Sequence, residues 1–154
     1  MHGTPRGRQR GARNGDKVTD ERRRILLSWL PAIIWTVVIF GLSSMTVFAS
    51  SIIKFNMIDK LAHSIEYGGL GVFLTVGYRG TFTDDRRRWV TPLVIATGLM
   101  IGVFDELYQF TVPGRSVEFY DWCADAVGVI LGNRLATEFF RWRAGKPEAE
   151  THIE

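Results

Sequence analysis

The sequence predicts an all-α protein, a four-helix transmembrane bundle with both termini in the cytoplasm. Three observations lead there. The 154 residues separate into long apolar runs and compact blocks of charge, although hydropathy averaged over the chain is near zero. The basic residues gather beside particular ends of those runs. The ionisable residues inside the runs recur at helical spacing, so that they share stripes instead of scattering toward lipid.

A helix crossing about 30 Å of hydrocarbon takes about 20 predominantly apolar residues. Four windows qualify: 25–48 (ILLSWLPAIIWTVVIFGLSSMTVF), 58–78, 89–110 and 117–140. The second and fourth carry charges inside the window. They can cross only if Asp59, His63, Glu66 and Asp125 face protein or water. Residues 1–24 are basic and poor in apolar side chains, which predicts a disordered cytoplasmic tail drawn to anionic lipid headgroups. Residues 25–140 then form the membrane domain, and 141–154 a loose cytoplasmic tail. A secretory signal is the rival reading of the first window, with Val47, Phe48 and Ala49 resembling a cleavage site, but the apolar run is too long for an ordinary signal core. The single Cys123 can form neither an internal disulfide nor a thiolate metal cluster.

The charge balance, 19 Lys and Arg against 16 Asp and Glu, would suit nucleic acid. The positions argue otherwise, because the basic residues flank apolar runs and do not line one soluble face. The expected partner is a lipid bilayer, with no nucleic acid. Eight basic residues precede the first window (Arg6, Arg8, Arg10, Arg13, Lys17, Arg22, Arg23, Arg24), four separate the second from the third (Arg79, Arg86, Arg87, Arg88), and three follow the fourth (Arg141, Arg143, Lys146). The other two connections hold only Lys54, Lys60 and Arg115. Positive-inside bias therefore turns the latter two connections outward.

Helical periodicity gathers the polar residues. Asp59, His63 and Glu66 follow i, i+4, i+7 spacing on the second window. On the third, Asp105 and Gln109 share a stripe with Gly98 and Gly102, while Glu106 points about 100° away. On the fourth, Asp121 and Asp125 share a stripe with Gly128 and Gly132. Both glycine pairs have the small-xxx-small spacing that lets helices approach closely in lipid, and packing within the chain is favoured over a dimer seam. Asp105 follows Trp89 by sixteen residues, about 24 Å of helix, which sets it at the outward level where Asp59, His63, Asp121 and Asp125 also begin their windows. The turn TVPGRSVE makes the third and fourth helices antiparallel neighbours and suspends Arg115 over the cluster, its planar fork suited to a carboxylate or a phosphate. Plainer roles exist for single members. Asp59 can complement a helix dipole behind Asn56, His63 can be a buried hydrogen-bonding residue, Glu106 and Glu118 can be interfacial charges, and Arg115 can pair with Asp121.

Four segments in order resemble the VanZ-like membrane proteins, named after an accessory protein associated with teicoplanin resistance: IFGLSS (39–44), DKLAHSIEYGGLG (59–71), DELYQFTVPGRS (105–116) and DWCADAVGVILG (121–132). The resemblance implies motif residues at Asp59, Lys60, His63, Tyr67, Asp105, Glu106, Gln109, Arg115, Asp121 and Gly128. Two departures stand out: Asp125 where the family usually has Asn, and Met45 where Gln often follows the Ser pair. Together, residues and resemblance suggest a site acting on a lipid-linked or cell-envelope substrate. His63, Asp59, Glu66, Asp105 and Asp121 are its candidate catalytic groups, with His63 as general acid or base oriented by Asp59 or Glu66. Lys60, Tyr67, Glu106, Gln109, Arg115 and Asp125 are its candidate binding groups, with Lys60 and Arg115 gripping phosphate. A divalent metal on His63 and the carboxylates is a variant of this reading, and the cofactor is left open. A non-catalytic accessory or binding protein, or a small proton-coupled carrier, are the alternatives. The orientation predicts that reporter fusions at Asp84 and Glu150 give cytoplasmic signal and fusions at Lys54 and Arg115 external signal; an external signal at Asp84 or Glu150 contradicts it.

Overall fold

The computed structural model describes residues 6–45, 56–113 and 118–145. Lys54, Arg115, the Val47-Phe48-Ala49 triplet and the tail after 145 lie outside the described residues. Four α-helices account for most of the rest: α1 (Arg6–Ser43), α2 (Asn56–Thr81), α3 (Val90–Gln109) and α4 (Phe119–Ala144). A 3-10 turn, Asp84–Trp89, leads directly into α3, and no strand occurs among the described residues. Helix α1 runs from the basic segment 6–24 without a break into its apolar part.

Two stretches are long and apolar enough to cross a membrane, Lys17–Ser43 and Asp84–Gln109. Helices α2 and α4 fall short of that measure because Asp59, Lys60, His63, Glu66 and Arg79 interrupt one, and Asp121, Asp125, Arg134, Glu138, Arg141 and Arg143 the other.

Helix α2 is central. It packs on α1, α3 and most extensively on α4. The α2–α4 contact is parallel, as its pairs climb together along both helices: Lys60 with Asp121, His63 with Asp125, Thr75 with Asn133. It is also a backbone contact. A Cβ on Gly128 would strike the Ser64 carbonyl, one on Gly132 the Gly68 carbonyl, and one on Gly71 would lie 2.5 Å from the Val129 carbonyl oxygen. Gly98 and Gly102 of α3 lie against Val129, Trp122 and Asp125 of α4. Both small-residue pairs thus serve contacts within the chain. Helices α1 and α3 run the opposite way to α2 and α4. At one end Trp29 Nε1 donates to Thr81 Oγ1 at 2.8 Å; at the other Ser44 Oγ and the Tyr108 hydroxyl lie 2.8 Å apart.

Beside an apolar core that includes Ile39, Tyr67, Leu70, Leu74, Val94 and Val129, burial departs from that of a water-soluble bundle in its buried polar side chains and its apolar exterior. The buried side chains include Ser43, His63, Thr75, Asp105, Glu106, Gln109, Asp121, Asp125 and Asn133, while Leu26, Leu30, Ile33, Val37, Met100, Phe104, Leu131 and Leu135 are exposed. An apolar exterior of this extent requires a covering of its own polarity. Because the α2–α4 seam has no room for a side chain, Gly132→Ala is expected to lower unfolding stability in detergent by roughly 1–3 kcal/mol. Gly41, with nothing within 4 Å of its would-be Cβ, should accept Ala without loss; equal thermal-shift curves for the two variants would refute this account of the seam.

Candidate polar site at one end of the helices

The first turns of α2 and α4 and the last turn of α3 meet at one end of the fold, and each brings ionisable side chains. On α2, His63 is buried, 6% exposed, one turn beyond the half-buried Asp59 and Lys60. On α4, Asp125 is fully buried. The parallel glycine seam fixes their register, and His63 Nδ1 lies 2.9 Å from Asp125 Oδ1. A carboxylate can only accept, so Nδ1 carries the proton and Nε2 is left as the basic nitrogen of the neutral ring. The partner that orients His63 is therefore Asp125, and not Asp59 or Glu66 as the spacing along α2 suggested. Residues on one stripe of a helix lie one above the other and share a direction, whereas a partner for the ring must come from the helix it faces.

Lys60 bridges two acids of α4's entrance, with Nζ 2.9 Å from Asp121 Oδ1 and 3.2 Å from Glu118 Oε2. The pair is graded in exposure: the Asp121 side chain is 5% exposed and that of Lys60 25%. On α3, Gln109 Nε2 donates to Asp105 Oδ2 at 3.1 Å. Glu106, read from the wheel as turned away from this stripe, is buried as well. Its Oε2 accepts the backbone N–H of Glu118 at 3.0 Å, which places a carboxylate against the N-terminus of α4. Both faces of α3 are covered here because it contacts α2 and α4. Glu106 is thus no interfacial charge, and Glu118 is tied to both neighbours. Tyr67 is fully buried within electrostatic range of Asp105, Asp125 and Glu106.

Glu66 takes a different position. Its backbone carbonyl accepts from Trp35 Nε1 of α1 at 2.8 Å, and its side chain is half-buried. The structure joins Asp59, Lys60, His63, Asp121 and Asp125 into one cluster with Glu106 and Glu118, and Asp105, Gln109 and Tyr67 adjoin it. Two sets of metal-ligating side chains have donor atoms within 4.8 Å of one another: Asp59, His63 and Asp121, and His63, Glu106 and Asp125.

The residues that sequence reasoning passed over are those whose role depends on the α2–α4 register. Asn133 Nδ2 donates to Thr75 Oγ1 at 2.9 Å in the buried seam, Thr75 Oγ1 in turn bonds the Gly71 carbonyl, and Ser64 Oγ donates to the Ala124 carbonyl at 3.0 Å. The available signal was a lone Asn in an apolar run, eight residues beyond Asp125 and hence on its face.

The fold and site define a class: a helical protein with an apolar exterior and a buried, charged cluster shared by three helices. The chain belongs to the VanZ/LLP1 family, whose model matches residues 9–141. No curated protein and no solved structure matches it. Family membership and the two apolar helices support a membrane protein.

Removing Lys60 leaves Asp121 buried beside other acids with its neutralising partner gone. Lys60→Met is expected to destabilise the protein by roughly 1–3 kcal/mol, less than a wholly buried pair because the ammonium is partly hydrated. Adding Asp121→Leu should restore most of that loss. A double-mutant cycle in detergent measures the coupling, and additive effects would contradict it.

Proposed function

We propose that this is a multi-pass protein of the bacterial plasma membrane, a four-span bundle with both termini cytoplasmic. Its polar cluster is a site near the outer face that acts on or binds a phosphate-bearing, lipid-linked or cell-envelope substrate. Through that substrate the protein bears on sensitivity to glycopeptides such as teicoplanin. The observation that carries this reading is the reversal of burial: a cluster of His63, Asp125, Glu106, Asp121 and Lys60 enclosed by helices whose outer surfaces are aliphatic. With the charges of the first turns of α2 and α4 turned inward, the outward side chains near the cluster include Met57, Ile58, Leu61, Ile65, Phe119, Tyr120, Val127, Ile130 and Leu131, which suits these helices to cross beside α1 and α3.

A site drawn partly into a bilayer and opening at its surface suits a substrate whose tail stays in lipid and whose headgroup is polar. Lys60 is the cation positioned for phosphate among the described residues of the cluster, and Arg115, in the α3–α4 connection by sequence, is the second cation this reading assigns to the headgroup. His63, held by Asp125, offers Nε2 as a base, and its protonated form serves as the acid.

The test is glycopeptide sensitivity in a deletion strain complemented with wild type, His63→Gln, Arg115→Ala or Asp121→Asn. Deletion should increase teicoplanin sensitivity and the wild type should restore it. For a site that turns substrate over, His63→Gln should fail to complement, since a positioned acid–base is worth about 10²–10⁴ in rate. For a site that only binds, Arg115→Ala should be the more damaging change. A deletion that leaves sensitivity untouched would overturn the glycopeptide link.

A further inference from the structure

We infer that the inner part of the cluster, His63 with Glu106 and Asp125, is a binding site for one divalent first-row metal ion. The inference rests on the reading of this cluster as the working site and specifies its ligand.

Two triads present metal-ligating donors, and they share His63. The outer one is spoken for, because Asp121 is neutralised by Lys60 at 2.9 Å. The inner one is not. Glu106 and Asp125 are 5% and 0% exposed, and each has one carboxylate oxygen, Glu106 Oε1 and Asp125 Oδ2, buried with no hydrogen-bond donor. A buried carboxylate oxygen without a donor is costly, and two of them beside one imidazole make an arrangement that water-free packing would not retain. The other oxygen of Glu106, Oε2, is held by the Glu118 backbone N–H, while Asp125 Oδ1 lies 2.9 Å from His63 Nδ1, so a shared ion takes Nδ1 as its nitrogen and displaces the proton that Nδ1 donates in the metal-free protein. Ligating carboxylates are commonly oriented as Glu106 is, one oxygen fixed by protein and the other turned to the ion.

Geometry and donor chemistry agree. The donors lie within 4.8 Å of one another. Ligands about 2.1 Å from a common ion stand roughly 3–4.2 Å apart, so side-chain adjustments of a few tenths of an ångström close the site. One imidazole with two carboxylates suits ions from Mn²⁺ to Zn²⁺, since a hard ion such as Ca²⁺ prefers oxygen alone. The ion also answers an electrostatic difficulty in the proposed function. An acidic pocket repels a phosphate, and Lys60 is already shared between Asp121 and Glu118. A divalent ion held at the inner triad supplies the missing positive charge at the place where a headgroup would meet His63.

The experiment is metal binding to full-length protein purified in detergent, stripped with chelator and titrated with Mn²⁺ or Zn²⁺ alone. The wild type should take up one ion per chain, with a rise in melting temperature, and bound Mn²⁺ should show nitrogen hyperfine coupling in pulsed EPR. Asp125→Asn and Glu106→Gln, which keep side-chain shape, should weaken binding about 10–100-fold. Asp59→Asn should bind as the wild type does. Failure of the wild type to bind either ion, absence of the nitrogen coupling, or loss of binding in Asp59→Asn alone would overturn the assignment. If both inner variants misfold, the wild-type stoichiometry and spectrum together with binding by Asp59→Asn decide the matter, since His63 belongs to both triads and Asp59 only to the outer one. The outcome is separable from the functional reading: a metal-free protein that still complements the deletion strain removes the ion and leaves the site, whereas a metal-binding protein with no phenotype does the reverse.

Discussion

Everything at the polar end depends on how closely α2 and α4 approach. Gly68, Gly71, Gly128 and Gly132 let the two backbones touch, and the contact is parallel. On the proposed four-span reading the seam lies in lipid, where no hydrophobic force drives helices together, so dispersion between close backbones and a few interhelical hydrogen bonds hold it. The Asn133–Thr75 and Ser64–Ala124 bonds supply the second kind. With the register set in the seam, the first turns of the two helices can place only certain pairs opposite one another: Lys60 meets Asp121, and His63 meets Asp125.

That seam also explains how ionisable groups are tolerated here. Each charged side chain on α2 and α4 would forbid membrane crossing if it stood alone. Near the cluster the charges pair across the seam and the outward side chains are apolar, whereas Arg134, Glu138 and Arg141, farther along α4, stay exposed. Helix α3 closes the third side, with Glu106 against the start of α4 and Asp105 held by Gln109. Helix α1 contributes mainly covering. Trp29 lies edge-on to Tyr78 and Trp35 edge-on to Phe73, so the two indoles seat α1 on α2 away from the charged cluster.

Much of this was legible from residue spacing. The all-helical class, the helix count and the stripes bearing Asp59 and His63, Asp105 and Gln109, and Asp121 and Asp125 follow from periodicity. Periodicity within one helix is silent about the rotation and sliding of another. For that reason His63 was matched to acids on its own helix, and Glu106 was read by its angle from Asp105 although α3 is covered on two sides here.

The glycine seam constrains movement as well as position. Where backbones touch with no side chains between them, translating one helix by a single residue would bring Val127 or Val129 to a place sized for hydrogen. Helices α2 and α4 can separate or pivot, but gradual sliding is sterically closed to them. A separation of α4 from α2 would therefore be a discrete parting, which breaks the His63 and Lys60 pairings together instead of one at a time.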